Sequence, residues 1–73
     1  MITKRQQIVL RTIDKLTKKN NLAPTLQEIA DVLQRSKITI REQVLALAEK
    51  RMLIHQTYRQ RSMFITELGR EYL

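Results

Sequence analysis

The sequence contains no cysteine, no tryptophan, one proline (Pro24), one glycine (Gly69) and one histidine (His55). Without cysteine there are no disulfide staples, thiol nucleophiles or Cys-type zinc sites, and a small unstapled domain fits a reducing compartment, so a cytoplasmic location is expected. A single glycine excludes the G-x-G-x-x-G and G-x-x-x-x-G-K phosphate-binding loops. Three aromatic residues are too few for the stacking platforms of single-strand binders. His55 has no His, Cys or clustered carboxylates near it in sequence and reads as a surface histidine rather than a metal ligand or general base. Apolar runs fall far short of the ~20 residues a membrane span requires, and the N-terminus carries no signal-peptide apolar region. Neither a metal, a cofactor nor a membrane partner is expected.

What the chain does have is positive charge. Its 73 residues hold 14 Lys+Arg against 7 Asp+Glu, a formal charge of +7. With 42% apolar and 29% charged residues it has the composition of a folded domain rather than of a disordered chain. One domain spanning residues 1–73 is expected. At this size it buries only about 60% of its unfolded surface, which leaves no room for an enzyme cleft, so no catalytic residues are expected. A polyanion is the partner implied by such a charge, and for a small basic domain the commonest one is nucleic acid; excess lysine serving only solubility is the plainer alternative. The charge is uneven. Residues 1–22 hold six basic residues and one acid, 23–33 hold two acids and no base, 34–51 hold five bases and two acids, and 52–61 hold two bases.

The pattern predicts five elements in a mostly helical chain. Thr3 and Gln6 form a T-x-x-Q capping box, and Val9, Ile13 and Leu16 follow at helical spacing as a buried stripe that ends at Asn20-Asn21. Thr25 and Glu28 form a second capping box for a short helix with Leu26, Ile29, Ala30 and Leu33 on its apolar face, ending near Leu33 or Gln34. Ser36 caps a third helix running to about Lys50, with Ile40, Val44, Leu47 and Ala48 toward the core. Residues 52–56 and 62–66 alternate as two strands around a basic tip, Thr57-Tyr58-Arg59-Gln60-Arg61. Thr66 caps a last short helix to Leu73, with Leu68 and Tyr72 on one face.

Two helices joined by about three residues and followed by a basic hairpin are the layout of a winged helix-turn-helix: a three-helix core, a two-stranded wing and a short C-terminal helix. The helix-turn-helix spans about 25–50 and the wing about 52–66. The third helix then presents Ile38, Thr39, Arg41 and Glu42 opposite its buried stripe, in the turns that enter a major groove. Arg41 suits a guanine, Glu42 a cytosine amino group, and Ile38 or the Thr39 methyl a thymine methyl. Ser36, Lys37 and the amides of the helix start can hold a phosphate. Arg59, Gln60 and Arg61 form a wing that reaches phosphates or the minor groove. In the plainer alternative these residues are a solvated helix face and a solubilising turn.

At these residues a family resemblance emerges. Ile2-Thr3-Lys4-Arg5-Gln6-Gln7, Pro24-Thr25 with Glu28-Ile29-Ala30, Arg35-Ser36, Ala46-Leu47-Ala48 and Lys50 make the chain similar to the DNA-binding domain of LexA-type SOS repressors over residues 2–66. The resemblance implies that Ser36, Ile38, Thr39, Arg41 and Glu42 stand where that family reads bases, and that Arg5, Thr25 and Lys50 stand where it holds backbone phosphates. The ending Ile65-Thr66-Glu67-Leu68-Gly69 resembles the T-x-x-G tails of MarR-like regulators, whose C-terminal helix often supports dimerisation. Gln34 and Arg51 depart from the pattern, since the family usually has glycine at both places; if either site needs a positive φ, the side chain costs about 1 kcal/mol and reorients the recognition helix. The 73 residues hold no Ser/Lys self-cleavage apparatus, so a stand-alone regulator of bacterial or phage type is expected, dimeric on double-stranded DNA.

The rival class is a winged-helix adaptor acting through protein contact. Leu45 and Ile38 lie off the core stripe, and strand alternation turns Ile54 and Phe64 outward. With Leu68 and Tyr72 these residues supply a dimer or partner surface, or else the final helix covers the ribbon pair. Leu45 has no structural explanation in the sequence.

Overall fold

A computed structural model of the chain describes residues 2–56 and 59–73. Four helices, α1 (Lys4–Asn20), α2 (Leu26–Leu33), α3 (Lys37–Glu49) and α4 (Glu67–Arg70), and two strands, β1 (Leu53–His55) and β2 (Met63–Ile65), occur in the order α1, α2, α3, β1, β2, α4. The strands form an antiparallel hairpin in which Leu53 faces Ile65, Ile54 faces Phe64 and His55 faces Met63. This mostly helical chain with one hairpin has the winged helix-turn-helix architecture. Of the expected wing tip, Thr57 and Tyr58 lie outside the described residues.

Each helix begins on a hydroxyl. The Thr3 hydroxyl accepts from the Gln6 N–H and Gln6 Oε1 accepts from the Thr3 N–H, both at 3.1 Å. In α2 the Thr25 hydroxyl accepts from the Glu28 N–H at 3.1 Å, and Glu28 Oε1 accepts from the Thr25 N–H at 2.8 Å. The Ser36 hydroxyl accepts from the Thr39 N–H at 3.1 Å. These bonds satisfy amide donors that the first helical turn leaves without partners.

Three helices end on or just before a residue in the left-handed region, and none of the three is glycine: Asn21 (φ 58°), Gln34 (φ 54°) and Arg51 (φ 62°). Asparagine tolerates this conformation. Gln34 and Arg51 adopt it with ordinary side chains, at about 1 kcal/mol each. The Arg35 N–H then donates to the Ala30 carbonyl at 3.1 Å, closing the α2–α3 turn.

The core forms where α3 meets the other elements. Ile40, Val44 and Leu47 are buried against Val9, Leu10 and Ile13 of α1, Ile29 and Ala30 of α2, and Met52, Leu53 and Met63 of the hairpin. Leu10 is fully buried although the stripe Val9, Ile13, Leu16 omits it. The buried arc of α1 is wider than one row because the helix packs on α2, α3 and β2 together. Among the described residues no helix is long and apolar enough to cross a membrane.

The C-terminal segment departs from expectation. α4 is one turn, Glu67–Arg70, and it does not cover the ribbon pair: Ile54 and Phe64 remain 54% and 55% exposed, and Leu68 is 40% exposed. Tyr72 and Leu73 pack instead against the core, and the Tyr72 carbonyl accepts from Gln7 Nε2 at 2.8 Å. The reason lies at Gly69. A Cβ there would collide with the Met52 carbonyl and lie 2.9 Å from Ile65 Cγ2, so the bare backbone of α4 sits on the side of the hairpin that carries Ile65. The Thr66 hydroxyl accepts from the Gly69 N–H at 3.0 Å and donates to the Arg51 carbonyl at 2.8 Å. Capping and close approach thus account for T-x-x-G within the monomer.

Candidate nucleic-acid interface

The exposed half of α3 runs between two hollows. On the wing side is an open cleft of about 600 Å³, bordered by Thr25 and Gln27 of α2, by Lys37, Ile38 and Arg41 of α3, and by His55, Arg59, Gln60 and Arg61 of the hairpin. On the other side a hollow of about 240 Å³ is bordered by Arg5 and Ile8 of α1, Arg35 of the turn, and Thr39 and Gln43 of α3. The fold therefore brings together Ile38, Thr39, Arg41, Lys37, Thr25, Arg5 and the wing residues, which are widely separated in sequence. Ile38 is 75% exposed at the centre of this face, with Arg41 and Glu42 exposed beside it. Gln27, Arg35, Gln43 and His55 also border the hollows and were not singled out as contacts from sequence. For Arg35 the signal was its place directly after the turn residue Gln34, one position before the Ser36 cap.

Ser36 and Thr25 occupy the two helix starts. The Ser36 and Thr39 hydroxyls are 2.8 Å apart and share a hydrogen bond, which fixes both at the tip of α3. Lys50 borders neither hollow; it is half-buried, and its Nζ donates to Gln6 Oε1 at 2.7 Å, joining the end of α3 to the start of α1.

Arg61 folds back from the tip onto α2, with its side chain still 42% exposed. Its Nη1 and Nη2 donate to Glu28 Oε1 and Oε2 at 2.9 and 3.2 Å, and Nη1 also donates to the Ala23 carbonyl at 3.2 Å. The Thr25 N–H and the Arg61 guanidinium together hold the Glu28 carboxyl below its ordinary value. Arg59, by contrast, makes no side-chain hydrogen bond or ion pair among the described residues.

His55 corrects the expectation of a surface histidine. It is half-buried, and its Nδ1 is buried with no hydrogen-bond partner among the described residues. Burial, and secondarily the charge of Arg41, push its pKa down, in favour of the neutral ring. Among the described residues no three His, Asp or Glu side chains converge as metal ligands do.

Elsewhere, Leu45 is 41% exposed on α3, and nothing among the described residues explains it. Ile54 and Phe64 leave an apolar strip on the outer side of the ribbon. The chemistry of the face around α3 is that of a cationic ridge: guanidiniums on both flanks and an ammonium on the wing side, with hydrogen-bonding and methyl-bearing side chains along the crest. The family model described as the LexA DNA binding domain matches residues 1–62. No curated protein matches the chain.

Proposed function

Because this chain belongs to the LexA DNA-binding-domain family, and so to DNA-binding transcription regulators, we propose that it binds double-stranded DNA sequence-specifically through the exposed half of α3. The observation that carries this reading is the pair of cation-bordered hollows on either side of that half-helix. A helix laid in a major groove about 12 Å wide has a phosphate backbone along each flank. Lys37 and Arg59 meet one backbone, Arg5 and Arg35 the other, and Ile38, Thr39, Arg41 and Glu42 point at the bases between them. Thr25 and Ser36 add hydroxyl and helix-start contacts to phosphate. Arg59 and Gln60 are the wing residues that reach the duplex.

The reading extends to a regulator of bacterial or phage type working in the cytoplasm, with two copies on one duplex. Ile54 and Phe64 then form the apolar surface between copies, and DNA opposes the mutual repulsion of two chains of charge +7. Selection of bound sequences from a random duplex pool tests both parts. A defined motif is expected, palindromic with half-sites about 10 bp apart. Arg41→Ala should relax the preference at one position, whereas Arg59→Ala should weaken all sequences alike. If neither substitution changes binding, the DNA reading is wrong. Exposure of the same strip also suits a protein partner; in that case Phe64→Glu abolishes a protein complex, leaves DNA affinity intact, and the selected motif has no symmetry.

A further inference from the structure

Arg61 is the wing cation tied back to α2, by a surface ion pair that leaves its side chain 42% exposed. Both its terminal nitrogens meet both oxygens of Glu28, and Nη1 reaches the Ala23 carbonyl as well. Such fork-to-fork pairing fixes orientation as well as distance. Glu28 is itself immobilised, because Oε1 closes the capping box with the Thr25 N–H. The carboxylate is thus shared between the first turn of α2 and the returning limb of the wing.

The wing end of this contact is equally constrained. Arg61 takes the left-handed conformation (φ 54°) that turns the chain into β2. Its neighbour Ser62 is buried, and the Ser62 hydroxyl lies 2.7 Å from the Arg59 carbonyl and 2.8 Å from the Gln56 carbonyl, while the Gln56 N–H donates to it at 3.3 Å. Arg59 and Gln60 therefore emerge from a turn whose base is pinned by Ser62 and whose direction is set by Arg61.

We infer that the Glu28–Arg61 pair is a clasp that sets the wing against the helix-turn-helix, so that Arg61 acts on DNA by positioning Arg59 and Gln60 and does not itself hold a phosphate. The inference rests on the DNA-binding reading and makes an acidic residue beside the interface favour the binding of a polyanion. That is the opposite of what charge alone requires: removing Glu28's negative charge and releasing Arg61 should, by Coulomb's law, strengthen binding.

The test measures affinity for a labelled duplex, and its salt dependence, for the full chain and for Glu28→Gln, Arg61→Gln, Arg61→Lys and the double variant Glu28→Gln/Arg61→Gln. Glutamine at position 28 keeps an oxygen for the Thr25 N–H, and both Arg61 variants leave the α2 cap intact; thermal melting checks that each variant folds. The clasp predicts that the two glutamine variants each weaken binding about threefold to fivefold. It also predicts that the double variant is no weaker than either single one, that Arg61→Lys also loses affinity because lysine lacks the fork, and that the salt slope stays unchanged. The inference is overturned if Glu28→Gln binds as well or more tightly, or if Arg61→Gln lowers the salt slope by about one while Arg61→Lys binds normally, since both mark a direct phosphate contact. Should Glu28→Gln fail to fold, Arg61→Lys and the slope of Arg61→Gln still decide. If the unmodified chain binds no duplex at all, the DNA reading itself fails, a result distinct from all of these.

Discussion

Five cations border the exposed half of α3 and make no ion pair among the described residues: Lys37, Arg41 and Arg59 on the wing side, Arg5 and Arg35 on the other. If the four that face the backbones, Lys37, Arg59, Arg5 and Arg35, each neutralise one phosphate while Arg41 reads a base, log K falls against log salt with a slope of about −3.6 per bound copy. Between about 50 and 200 mM salt, affinity then drops by roughly 150-fold. Arg35→Ala should flatten the slope by about 0.9, and so should Arg5→Ala. Lys19 is the control. It lies on the same helix as Arg5, fourteen residues further on, a distance of about 21 Å at 1.5 Å per residue. That is twice the ~10 Å screening length at 0.1 M salt, so Lys19→Ala should leave the slope unchanged. Fluorescence anisotropy with a duplex of arbitrary sequence suffices, because this component is carried by phosphates and ignores base identity. A slope shallower than about −2, or a loss at Lys19→Ala equal to that at Arg35→Ala, would show that charge acts diffusely over the surface and refute the bracketed-helix geometry.

Gly69→Ala should cost about 2 kcal/mol through overpacking against the Met52 carbonyl, lowering the melting temperature by roughly 10 °C; an unchanged melt would mean that α4 docks elsewhere. Gln34→Gly and Arg51→Gly should each stabilise by up to about 0.5 kcal/mol, the relief of left-handed strain less the entropy glycine adds to the unfolded chain, and the gains should add in denaturant midpoints. Stability should also depend on pH in two steps. The folded-state pKa of His55 lies below its ordinary 6.5 and that of Glu28 below 4.5, so in each case the unfolded chain takes up the proton first. The stabilisation is therefore complete above the ordinary value and is lost as pH falls through the folded one. His55→Gln should remove the upper step from a plot of denaturation midpoint against pH while leaving the lower.

Much of the local structure was legible because its causes are local. A hydroxyl followed three residues later by Gln or Glu specifies a capping box whatever surrounds it, and the starts of α1 and α2 lie where Thr3 and Thr25 place them. Strand alternation likewise sends Ile54 and Phe64 to one side and Leu53 and Met63 to the other. The exposed set on α3 was legible too, because helical periodicity separates Ile38, Arg41 and Glu42 from Ile40, Val44 and Leu47. Leu10 was missed since a single stripe underestimates a helix that packs on three neighbours. His55 was misjudged because burial of a strand residue depends on what α3 places over it.

The sequence by itself determined the helix starts, the alternation of the ribbon, the excess of positive charge and the family, all of which follow from short-range chemistry or residue order. Only the tertiary structure decided how each charge is used. Arg59 and Arg61 are two residues apart and identical in type, yet one borders the cleft without an intramolecular ion pair among the described residues while the other is held by Glu28 and Ala23. Lys50 is drawn to Gln6, and Arg35 and Arg5, thirty positions apart in sequence, border the same hollow beside α3. An ionic side chain's partner is set by distance in space, and that distance exists only after the core formed by Leu10, Ile29, Ile40 and Met63 has brought the helices and the hairpin together.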